Sequence, residues 1–125
     1  MTALAFPAEP LEALEAAIDR GCEVVDPALV AVVTATIEAT LMGAPRPEPV
    51  DEAQRDVLAL VEQMLIDVAG LDDATVQRAD RHFAPGQLSD LVTTSYAIEA
   101  RTRLRLAAAR LGSRTTAAEH PRESR

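Results

Sequence analysis

Apolar residues recur along this chain at helical spacing, and polar or conformationally special residues mark the ends of five segments. Leu11, Leu14 and Ile18 form one stripe in "PLEALEAAIDRG", residues 10–21. Pro10 suits the first helical position, Glu9 and Glu12 suit the positive end of a helix, and Gly21 suits the residue just past the C-cap. In "DPALVAVVTATIEATLMG", residues 26–43, Leu29, Val33, Ile37 and Leu41 recur every four residues. Its β-branched content suggests a strand, but the length, the Asp26 cap, Pro27 at the start and the four-residue recurrence favour a helix.

"APRPEP", residues 44–49, is a stiff proline-rich connection. A third helix, residues 51–70, starts at Asp51, with Gln54 placed for a capping box. Val57, Leu58, Leu60, Val61, Met64, Leu65 and Val68 give it a wide apolar face, so it is expected to be the most buried. "LDDATVQRADRHF", residues 71–83, predicts a short fourth helix capped by Asp72 or Asp73 and broken by "APG" at 84–86. The fifth runs from Gln87 to a stop at Gly112. "SRTTAAEHPRESR" then has no large apolar residue and predicts a disordered tail over 113–125. No period-two pattern survives, so the expectation is one all-α domain of about five helices over residues 1–112.

Composition narrows the chemistry. With 125 residues the chain suits a single hydrophobic core. Aromatics are 2% of it, Phe6, Phe83 and Tyr96, so the core must be aliphatic. A net charge of −8 argues against nucleic acid and against an anionic membrane surface as partners. All 12 basic residues are arginine, which removes Schiff-base chemistry and a phosphate-loop lysine. The single cysteine, Cys22, excludes an intrachain disulfide and a multi-cysteine metal site. The acidic start "MTALAFPAEPLEALE" lacks the basic opening of a secretory signal, and "PALVAVVTATI" is too short to span a bilayer. The chain reads as cytoplasmic, with no cofactor and no metal.

The stretch "VDEAQRDVLALVEQMLIDVAGLDDATVQRADRHFAPGQLSDLVTTSYAIEARTRLRLAAARLG" resembles the C-terminal half of alkylhydroperoxidase D-like proteins, also called carboxymuconolactone decarboxylase-like. The order carries the resemblance: an acidic helix start, "VLALVEQML", a short helix ending in "RHF", and a long closing helix. "VDPALVAVVTATIEATLMG" is similar to the helix that precedes the active-site helix of that family, so the likeness covers about residues 25–112. It implies an all-α fold and a homo-oligomer. The family's redox signature is a Cys-x-x-Cys pair on a helix, with a histidine a turn later and a glutamate upstream. Here the corresponding place reads "GAPRPEPV", without cysteine or histidine. The resemblance is therefore to a degenerate member, without the family's thiol peroxidase chemistry.

Four features remain as candidates. Cys22, just past Gly21, reads as a small apolar plug in the corner between two helices, the alternative being a reactive thiol near a helix start. Glu99 falls on the apolar stripe of the last helix among Leu88, Val92 and Leu106, with Ser95 and Thr102 beside it. A carboxylate there is costly unless paired, which makes Glu99 a candidate base; the plainer reading is an i,i+4 pair with Arg103. His82 ends the fourth helix and is a second candidate acid–base group, and Arg103 is a candidate for holding a carboxylate substrate. His120 lies in the tail. Two function classes follow. One is a non-redox oligomeric interaction or accessory protein, assembling with itself or with a catalytic family relative. The alternative is a small-molecule enzyme or binder of the lactone decarboxylase type, using Glu99 and Arg103 in an apolar pocket.

Overall fold

A computed structural model describes the backbone of residues 8–119 and the side chains of residues 9–112. Its elements are α1 (Ala8–Val24), α2 (Pro27–Met42), α3 (Glu52–Ile66), a 3-10 turn (Val68–Gly70), α4 (Asp73–Asp80) and α5 (Gln87–Glu119). The fold is all-α, with no strand among the described residues.

Local chemistry sets most helix ends. The Asp26 carboxylate accepts from the Ala28 N–H at 3.1 Å, with Pro27 opening α2 behind it. At the other end Gly43 takes φ 70, the left-handed region that a C-cap needs and that glycine enters without a Cβ penalty. Asp51 accepts from the Gln54 N–H at 2.8 Å, and the Gln54 amide oxygen accepts from the Val50 N–H at 3.1 Å, closing a capping box over α3. Asp72, not Asp73, caps α4, accepting from the Thr75 N–H at 2.8 Å.

Four expected ends move. Gly21 does not terminate α1: it lies inside the helix, buried, and its φ is not positive. Cys22 therefore sits on the last turn of α1, half-buried against the core, and not in a corner between helices. The third helix stops at Ile66, because Asp67 turns its side chain onto the Gly70 N–H and caps the 3-10 turn; Val68 is left exposed. The fourth stops at Asp80, so His82 lies beyond its end. α5 runs through Gly112 to Glu119. Of the expected tail, the backbone of residues 113–119 continues α5, and residues 120–125 lie outside the described residues.

α5 is the organising element, about 50 Å long by its 33 residues. It packs on α1 and α2, α2 also packs on α3, and α3 on α4. α1 and α5 run antiparallel: Gln87 donates to the Val24 carbonyl, Gly21 faces Thr94, and Glu15 meets Arg101 and Arg105. The core is aliphatic, with Val33, Ile37, Val57, Leu60, Val61, Leu91 and Ile98 at 2% exposure or less. Thr36, Thr94, Ser95 and Thr102 are buried with them, each hydroxyl donating to the carbonyl four residues back, so no hydroxyl is left unmatched.

Candidate functional site

The site begins with a carboxylate in an apolar place. Ala53, Asp56, Val57, Leu60 and Val61 follow one another on the inward face of α3, so folding carries Asp56 inward with its neighbours, leaving it 8% exposed. A buried carboxylate needs donors. They come from the turn after α4: His82 Nε2 donates to Asp56 Oδ2 at 2.8 Å, and Arg81 Nη2 donates to the same oxygen at 3.0 Å. Arg81 also bonds to Glu52 one helical turn earlier on α3. The hydrogen bond from His82 first, and then the bond and charge of Arg81, hold the Asp56 carboxyl below its ordinary value of 3.8, against the upward pull of burial.

An ionised Asp56 fixes the histidine. Nε2 must carry a proton to donate it, and in the neutral imidazole that leaves Nδ1 as an acceptor. The ring forms one wall of a hollow of about 230 Å³ where the starts of α2 and α3 meet the turn before α5. Val25, Leu29, Ala53 and Phe83 make it apolar, and Asp26 and Gln87 complete it. The Gln87 amide accepts from the Ala84 N–H at 3.0 Å and donates one of its two N–H groups to the Val24 carbonyl at 3.1 Å. The Asp26 carboxylate spends Oδ1 on its cap. An orienting carboxylate, an oriented imidazole and an apolar hollow are the parts of an acid–base or hydrogen-bonding site.

Two other hollows lack that arrangement. One of about 280 Å³ lies between α1 and α5 and is bordered by Arg20 and Asp90. Another of about 330 Å³, at the end of α2, holds Arg110 among Leu41, Met42, Leu106 and Ala107. Neither has a proton-transfer group held by a second group.

The residues singled out from sequence are not brought together. Glu99 is paired with Arg103, which donates from Nε at 2.9 Å, and neither residue lines any of these three hollows. The pair thus takes the plainer of the two readings. His82 is elsewhere: Gln87 shares its hollow, and Glu99 stands twelve residues further along α5, about 18 Å away. His82 keeps a site, and its partner is Asp56, which the sequence reading passed over. A signal existed. Asp56 sits on an apolar stripe with Leu60 at i+4 and Glu52 at i−4, so no basic residue within its own helix face can pair with it. Glu99 has Arg103 at i+4 and needs no distant donor.

Among the described residues no group of three or more His, Cys, Asp or Glu is placed to hold a metal ion, and no helix is long and apolar enough to cross a membrane. No family model matches the chain, and no curated protein or solved structure is similar to it.

Proposed function

We propose that this chain is a non-redox assembly protein of the cytoplasm, a degenerate relative of the alkylhydroperoxidase D-like proteins that associates with copies of itself or with a catalytic relative. The observation that carries this reading is the outer surface of α2. Glu38 is the only charge in its 16 residues. Ala28, Ala31, Ala35 and Met42 are exposed, spaced three, four and seven apart as the positions of a helix–helix seam are. Half-buried Glu38 stands at the intervening position of that stripe, and an exposed apolar stripe on a helix is ordinarily covered. Residues 44–50, where the resemblance would place the family's redox cysteines, form a connection without helix or strand. Light scattering behind size exclusion tests the reading. At micromolar concentration the mass is expected to be a multiple of 13.3 kDa, and Ala31→Arg or Ala35→Arg is expected to reduce it. A strictly monomeric wild-type chain defeats the proposal.

A second reading, as a small-molecule binder or enzyme, is favoured by the Asp56–His82 pair on its apolar hollow. Because Glu99 and Arg103 close on each other, the base in this reading is His82, oriented by Asp56. The carboxylate substrate expected from Arg103 loses its anchor, and the ligand must be argued from the hollow itself.

A further inference from the structure

The polar groups of that hollow still have capacity, most of it as acceptors. Asp26 uses Oδ1 for its cap, which leaves Oδ2. In the neutral imidazole, His82 donates through Nε2 to Asp56 and Nδ1 is an acceptor with no protein partner among the described residues. Gln87 accepts at Oε1 and donates one of its two N–H groups, which leaves one N–H. Arg81 is drawn to Glu52 and Asp56 and does not line the hollow. A ligand here therefore meets two acceptors and one amide N–H, one of the acceptors a carboxylate without an ion pair, on a chain of net charge −8. Anions are repelled, and donors, above all charged donors, are favoured. The walls set the rest. A cavity of roughly 150 Å³ takes benzene, so about 230 Å³ takes one ring with a short arm, and Phe83 offers an aromatic face to a ring or a cation.

We propose that the hollow between the starts of α2 and α3 and the turn before α5 binds a compact organic cation, a primary ammonium on an apolar body no larger than one ring. Asp26 takes the charge, His82 Nδ1 accepts a second N–H, and Asp56 acts as a positioning residue that holds the ring in the accepting tautomer. The proposal rests on the small-molecule reading above and names its ligand class.

Three isosteric probes separate the claims: benzylammonium, benzyl alcohol and benzoate, titrated into the full-length chain and followed by backbone amide NMR shifts. Benzylammonium is expected to give saturable shifts centred on Val25, Asp26, Ala53, His82, Phe83 and Gln87, with benzyl alcohol weaker and benzoate inert. Asp26→Asn keeps an equally good helix cap and removes the charge. It is expected to weaken benzylammonium roughly tenfold, the size of one lost charge-assisted hydrogen bond, and to weaken benzyl alcohol less. If benzyl alcohol or benzoate binds wild type as tightly as benzylammonium, the hollow is a ligand site but the cation assignment is wrong. Undiminished benzylammonium binding by Asp26→Asn overturns the role of Asp26. If no probe gives saturable shifts at millimolar concentration, the small-molecule reading falls together with the proposal.

Discussion

Replacing Gly21 with alanine tests the closest approach in the fold. Inside a helix at negative φ, glycine to alanine stabilises by itself, by roughly 0.5–1 kcal/mol. Here the added Cβ would fall 2.1 Å from Thr94 Oγ1, 2.6 Å from its Cγ2 and 2.9 Å from its Cβ. Thr94 cannot turn aside. Its side chain is β-branched and stiff, it is 3% exposed, and its hydroxyl is held by the Asp90 carbonyl at 2.7 Å. The Cβ contact, moreover, is the same in every rotamer. α1 and α5 must separate, and overpacking of this kind costs about 1–3 kcal/mol. The net expectation is a loss of about 1–2 kcal/mol, and each kcal/mol lowers Tm by roughly 3–6 °C in a domain of this size. Urea and thermal melts at fixed protein concentration, on wild type, Gly21→Ala, Thr94→Ala and the double variant, measure it. The Gly21→Ala cost should shrink in the Thr94→Ala background, where two of the three contacts are gone and the Cβ pair remains. A Gly21→Ala protein more stable than wild type would refute the close packing of α1 on α5, because that is how an unencumbered helix glycine responds.

Asp56 should leave its mark on acid unfolding. Its folded carboxyl titrates below 3.8, so the folded state binds this proton less readily than the unfolded chain. Its stabilisation is therefore complete above that ordinary value and is lost as pH falls through the lower folded one. The Tm gap between wild type and Asp56→Asn should be widest near neutral pH and narrow in acid; a gap that stays constant down the acid limb contradicts the assigned cause. Cys22→Ser should cost about 1 kcal/mol or less, since the residue is half-buried and a serine hydroxyl on the last turn of α1 can bond back to its own helix. Self-association by light scattering should be unchanged, and its loss in a folded Cys22→Ser protein would make the thiol functional.

The seam on α2 and the hollow beside His82 use different parts of the chain. Ala31 and Ala35 lie on the outer surface of α2, whereas the hollow takes from this helix only its cap, Asp26, and Leu29 in its first turn. Ala28, at the near end of the seam, donates to the Asp26 cap, so the two readings are separated by variants at Ala31 and Ala35, which do not line the hollow.

The sequence alone determined what is decided within about four residues. Asp26 with Pro27, Asp51 with Gln54, Asp72 and Gly43 set helix ends through bonds to neighbouring N–H and C=O groups, and the apolar periodicity between them was sufficient for an all-α fold. It could not determine what depends on a distant partner. Gly21 has the composition of a helix stop, and only Thr94 on the facing helix turns it into a packing site. Glu99 and Asp56 carry the same signal, a carboxylate on an apolar stripe. Glu99 finds its donor four residues away and closes the question locally. Asp56 has no local donor, and it becomes the anchor of His82 because α4 folds back across α3 and brings a residue 26 positions away within 2.8 Å. Capping is a property of chain neighbours, whereas burial of a charge is settled by whichever element the core places against it.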